Sequence, residues 1–187
     1  DFIVLYGDLH TLLQRQDIEL FNHLQAQGIS LVCNEGYSGK YNGQDYRFER
    51  EVIRQGKAQI FGIDNDELFS LADDFSEYNI LRLQNLGKAP TADQEALEKR
   101  IMEKIREYDG RQIGVLELRE KYIELDNKYA RDERSFMSAK ETLRVMRETS
   151  KNKAFMIYGS NHVDELVPEL NKLGISVLLV MYKNIKL

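Results

Sequence analysis

The chain has one cysteine among 187 residues, Cys33, so no disulfide can form within it. It has no basic excess: 26 lysines and arginines against 31 aspartates and glutamates give a formal net charge of −5. That balance supplies no positive field to hold nucleic acid or anionic lipid. No apolar run nears the ~20 residues of a membrane-spanning helix, and no low-complexity segment is present. A phosphate-binding loop is missing too. Tyr37-Ser38-Gly39-Lys40 has neither the spaced glycines nor the Gly-Lys-Ser/Thr ending that such a loop needs. The chain opens on a strand pattern at Asp1 rather than on Met. We expect a trimmed or processed product whose compartment is not legible from its first residues. Histidine is scarce, at three residues, and two of the three occupy matching contexts.

What is present is an ordinary globular composition, 42% apolar, in a chain of one-domain length with room for an insertion. Short apolar, β-branched and aromatic runs predict strands over 2–6, 29–34, 58–64, 154–158 and 176–182. Helical spacing predicts helices over 11–27, 48–55, 135–149 and 163–173. Residues 37–46, rich in Gly, Ser, Asn and Tyr, read as a loop. Strand signals vanish over 65–148. There Leu97, Ile101 and Ile105 recur at heptad-like spacing among charges, with breaks at Gly87-Lys88-Ala89-Pro90 and Asp109-Gly110. The pattern predicts an α/β fold: one mostly parallel sheet with helices on both faces, its core spanning about 1–64 and 128–187. Residues 65–127 read as a helical insertion or cap that covers the sheet edge or receives a protein partner. Phe136, Ala139, Leu143 and Met146 are expected on the inner side of the 135–149 helix. Cys33 is read as a small buried hydrophobe, and His23, mid-helix, as a surface residue.

The matched contexts carry the functional reading. Phe2-Ile3-Val4-Leu5-Tyr6-Gly7-Asp8-Leu9-His10 and Phe155-Met156-Ile157-Tyr158-Gly159-Ser160-Asn161-His162 are each an apolar run, Tyr-Gly, two residues and His. Each precedes a helical pattern, then Gly-Ile-Ser at Gly28 or Gly174, then another apolar run. A strand ending in Gly-x-x-His delivers an imidazole to the carboxyl edge of a sheet, where open α/β sheets bind ligands. Glu35 and Asp64 end two further strands on the same edge, and Asp8 accompanies His10. His10, His162 and the carboxylate of Glu35 make a ligand set suited to a divalent metal such as Zn, Mn or Co. The same residues could work without metal, one histidine as general base with Glu35 as acid or orienter. Asp8, Asp64 and Tyr158 are candidate cofactor contacts. Simpler roles stand beside these: Asp8, Ser160 and Asn161 could serve the starts of the following helices, and Asp64 could cap a helix beginning near Glu67.

These residues resemble the superfamily of TraB and PrgY proteins, TIKI metalloproteases, erythromycin esterases and ChaN-like haem-binding lipoproteins. The resemblance rests on Gly7-x-x-His10, Glu35, Gly159-x-x-His162 and an arginine ahead of the penultimate helix, Arg134 or else Arg131. Glu133-Arg134-Ser135-Phe136-Met137 is the closest local match, and the resemblance spans about 1–64 and 128–182. It implies a cleft built from the two histidines, the glutamate and the arginine. TIKI-like members are metal-dependent proteases, esterase-like members activate water with a histidine, and ChaN-like members bind haem. The chain departs from the esterase and ChaN branches at Asp8, where those tend to carry glutamate. We therefore expect a hydrolase, metal-dependent peptidase-like or esterase-like, acting on a peptide or small-molecule substrate, with Arg134 holding a substrate carboxylate or oxyanion. The alternative is a non-catalytic module for haem, metal or a small ligand, or a partner-binding domain of a larger protein.

Overall fold

The computed structural model describes residues 1–8, 14–41, 52, 54 and 58–181. It divides into two compact units, Asp1–Asp64 with Ser135–Leu187, and Asn65–Arg134. The composition change near 127 falls before the second boundary, because helix continues unbroken through that point: Val115–Asp126, a π-helical turn Asn127–Glu133, then Arg134–Glu148.

The first unit is an α/β sheet. Its strands are β1 (Phe2–Asp8), β2 (Leu31–Asn34), β3 (Ser38–Lys40), β4 (Gln59–Ile63), β5 (Lys153–Gly159) and β6 (Ser176–Met181). They lie in the order β3-β4-β2-β5-β1-β6. All neighbours pair in parallel except β3 with β4. Helices α1 (Gln14–Ala26), α5 (Arg134–Glu148) and α6 (Val163–Lys172) connect them. The expected helix over 48–55 falls largely outside the described residues, as does the second half of the 37–46 loop, residues 42–46.

Parallel strands buried on both faces read as continuous apolar runs, because alternate side chains enter two different cores. Ile3 and Leu5 of β1 join Met156 and Tyr158 of β5 in one core with Ala139, Met146, Leu166 and Leu170 from α5 and α6. Val4 and Tyr6 join Phe155 and Ile157 in the other, with Phe21 and Leu24 from α1. So α1 lies on one face, α5 and α6 on the other. Each such aliphatic side chain contributes about 1.5–3 kcal/mol on burial.

β3 was not expected, since Ser38-Gly39-Lys40 has no apolar alternation. Backbone pairing makes it: Gly39 faces Gly62 of β4. The approach is close enough that a Cβ built on Gly62 would stand 2.1 Å from the Tyr37 carbonyl oxygen.

The second unit is helical: α2 (Asp66–Gln84), α3 (Ala92–Asp109), α4 (Val115–Asp126) and the π-helical turn. Thr91 caps α3, its side chain accepting from the Gln94 amide at 3.3 Å. Leu97, Ile101 and Ile105 are buried, as their heptad-like spacing requires. Unexpectedly, so is Glu98, at 1% exposure. Arg119 of α4 grips it with two 2.7 Å hydrogen bonds, and Tyr78 of α2 donates to it at 3.0 Å. Among the described residues, no helix is long and apolar enough to cross a membrane.

Candidate functional site at the carboxyl edge of the sheet

The strand order marks the candidate edge. From β1 the chain crosses past β5 to reach β2, and from β5 it crosses past β1 to reach β6. Two crossovers of one hand that move in opposite directions must use opposite faces of the sheet, which is where α1 and α6 are found. β1 and β5 therefore form a topological switch point, and in open α/β sheets a ligand crevice lies outside the carboxyl ends of such a pair.

The two Gly-x-x-His motifs leave the sheet from these two strands. Gly7 pairs with Tyr158 and Asp8 with Gly159, so the motifs are adjacent, parallel and offset by one residue. His10 lies outside the described residues. Asp8 is the last residue of β1.

Glu35 ties this edge together. It follows β2, its amide donates to the Ile157 carbonyl at 3.1 Å, and its Oε2 accepts from the Gly159 amide. The acidic residue is thus held at the first residue of the second motif. Gly36, with φ of 101°, takes a left-handed conformation that favours glycine. Its amide donates to Asp64 Oδ2 at 3.0 Å, and the Asp64 amide donates to the Tyr37 carbonyl at 3.1 Å. The carboxyl ends of β2, β4 and β5 are laced by these contacts. Asp64, 4% exposed, fastens the Glu35-Gly36 turn and does not cap α2. The cap is Asn65, whose side chain accepts from the Leu68 amide at 2.9 Å, because the carboxylate is already engaged by the turn one residue earlier.

The second motif turns sharply after Gly159. Ser160–His162 form a single 3-10 turn, and neither Ser160 nor Asn161 caps α6. The N-cap position is taken by His162, without a side-chain cap bond. The turn brings the imidazole back against Tyr158, ring centroids 6.1 Å apart and planes at 79°. Tyr158 is wholly buried, and its hydroxyl shares a 3.1 Å hydrogen bond with Ser138 of α5.

The structure therefore brings Glu35, Asp64, Tyr158 and His162 to one edge of the α/β unit. Arg134 belongs to the helical unit, where its guanidinium stacks 5.0 Å from the Phe69 ring. Arg131 lies in the π-helical turn of that unit. His23 is exposed and hydrogen-bonds Gln27 at 3.0 Å, as a surface histidine does.

Ser138 was not anticipated. The inner face of α5 carries Ser135, Ser138 and Thr142, all fully buried, along with Ala139 and Met146. Phe136 is turned outward beneath the Lys140 ammonium instead. Ala139, Leu143 and Met146 are buried as expected, and the small hydroxyl residues at positions 135, 138 and 142 recur at helical spacing beside them.

As a metal site, the donor set is chemically suitable, two imidazoles and a carboxylate. Among the described residues, no group of three or more His, Cys, Asp or Glu side chains is placed to hold an ion, and His10, the third member, is outside them. No protein-family model matches the chain, and no curated protein or solved structure matches it either.

Proposed function

We propose that the protein is a hydrolase whose site is built on the paired Gly-x-x-His motifs, with a peptide or ester as substrate. The observation that carries this reading is the lacing of the switch point. The two motifs leave adjacent parallel strands one residue out of step, and Glu35 accepts the amide of the second motif's glycine. His162 is the general base that removes a proton from the attacking water, with His10 of the first motif as its counterpart. The Glu35 carboxylate, fixed at Gly159, favours the imidazolium that forms. In the alternative, metal-dependent form His162 would be a ligand and not the base: a divalent metal would be held by His10, Glu35 and His162, and when bound would supply a Lewis acid and a water of lowered pKa. Arg134 enters the proposal through the family resemblance alone.

The test is a peptide and ester panel run on wild type, His162→Ala and Glu35→Gln, after purification without chelator and with divalent-metal titration of each. Turnover in wild type and a loss of about 10²-fold or more in both variants is expected, since general acid–base groups contribute about 10²–10⁴-fold. Full activity in a folded His162→Ala protein sinks the proposal. So does a wild type that turns over nothing and gives a Soret band with haem, which would favour the binding module. A metal bound by wild type and not by His162→Ala would select the metal-dependent form.

A further inference from the structure

The two edges of the sheet are built differently. β3 closes one side with three residues, Ser38-Gly39-Lys40. It is very short and carries a lysine, two devices that keep an edge from pairing with another chain. β6 closes the other side with six residues, Ser176-Val177-Leu178-Leu179-Val180-Met181. It holds no charge, no proline and no glycine. Its register with β1 runs residue for residue from Phe2–Ser176 to Gly7–Met181, so no bulge twists it away from an approaching strand.

Such an apolar run is the pattern of a strand held between two neighbours. Among the described residues β6 has one neighbour, β1. Its side chains are open accordingly. Leu178 lies beside Val4 and Leu179 beside Leu5, and Val4 and Leu5 enter opposite cores. Leu178 is 52% exposed and Leu179 41%. Adjacent leucines are thus uncovered on both faces of the sheet, at the middle of its last strand. A helix laid on one face would cover only one of them. A further strand would flank both at once, and would also pair with the outer backbone edge.

The strand that fits is β6 of a second copy. Two such strands, antiparallel about a two-fold axis normal to the sheet, keep each face of the sheet on its own side. With the axis through Leu179, that residue meets its own copy and Leu178 meets the copy's Val180. Neither strand brings a charge that would be buried unpaired. Head-to-tail pairing of β6 with β3 would set Lys40 against apolar side chains, and would build an open chain of molecules instead of a closed pair.

We propose that the protein forms a two-fold dimer through β6, joining two sheets into one continuous sheet. The proposal is independent of the hydrolase reading, since no residue of β6 belongs to the paired motifs.

The experiment is sedimentation equilibrium over a range of concentrations, on wild type, Leu178→Lys and Leu179→Lys. Leu116→Lys serves as control, since it alters a 73% exposed leucine of the helical unit. Circular dichroism checks that each protein is folded. Wild type and control should reach twice the chain mass. Both β6 variants should dimerise at least about tenfold more weakly, as for a residue at the centre of an interface. Amide exchange gives a reading that needs no variant. In wild type, exchange over Val177–Val180 should slow as concentration rises, while exchange over Ser38–Lys40 should not change. A wild type that stays monomeric at every concentration would overturn the proposal, whichever other chain covers the edge. So would a dimer that survives both β6 variants, or wild-type assemblies that grow beyond two copies.

Discussion

Cys33 lies on β2 with no surface open to solvent. Burial, reinforced by the nearby charge of Glu141, pushes its thiol up to about 12. Nucleophilic attack needs the thiolate, so at pH 8 the native thiol should resist alkylation, with one equivalent reacting only after denaturation. Rapid labelling of the folded protein would contradict this. Here residue type and strand context were enough, because a lone cysteine in an apolar run has few alternatives. Polar residues at strand ends were harder. Asp64 and Asn65 are equally good helix caps by type. The choice between them was made by Gly36, 28 positions away, whose amide claims the Asp64 carboxylate. Helical spacing places Phe136 on the side of Ala139, Leu143 and Met146, yet it is 37% exposed. The helix instead buries Ser135, Ser138 and Thr142, and Ser138 hydrogen-bonds the Tyr158 hydroxyl.

At the scale of elements, β3 exists because backbone can pair where side chains give no signal. Its position on β4 depends on Gly62 having no side chain, as a Cβ there would meet Tyr37 backbone atoms at 2.1 and 2.5 Å. Gly62→Ala should therefore lower stability by about 3 kcal/mol, the upper end for overpacking, measured by denaturant unfolding. A loss within about 0.5 kcal/mol, as at an ordinary surface site, would mean the contact is not maintained. In the helical unit, Glu98 joins α2, α3 and α4 through Tyr78, Gln94 and Arg119. Heptad spacing marked Leu97, Ile101 and Ile105 as its core but could not mark Glu98, since a buried carboxylate is defined by partners on other helices. Burial alone would raise its pKa. The hydrogen bonds from Arg119, Tyr78 and Gln94, with the Arg119 charge, outweigh that and hold it below the usual carboxylate range. A carboxyl whose folded pKa is depressed contributes stability above its ordinary value, and that contribution is lost as pH falls through the depressed one. Glu98→Ala should cost roughly 2 kcal/mol at pH 7, below the ~3–5 for breaking a wholly buried pair, because Arg119 is 35% exposed. The gap between variant and wild-type melting temperatures should narrow as pH drops below the ordinary carboxyl range. A gap independent of pH would show that the charge on Glu98 does not matter.

At the scale of the whole molecule, alternation of strands and helices was sufficient for a mostly parallel sheet with helices on both faces. Strand order was not readable, because nothing local in β1 says that β5, some 150 residues later, will be its neighbour. That order sets the starts of the two Gly-x-x-His motifs, Gly7-Asp8 and Gly159, on neighbouring strands at the switch point. His10 and His162 are proposed to serve one site. The most direct test is a double-mutant cycle on kcat/KM, using His10→Ala, His162→Ala and the double variant in folded protein. Residues that act as a unit are strongly non-additive, so each single variant should lose about 10²-fold or more and the double should be no worse than either. Full turnover in either single variant, or losses that multiply in the double, would contradict it.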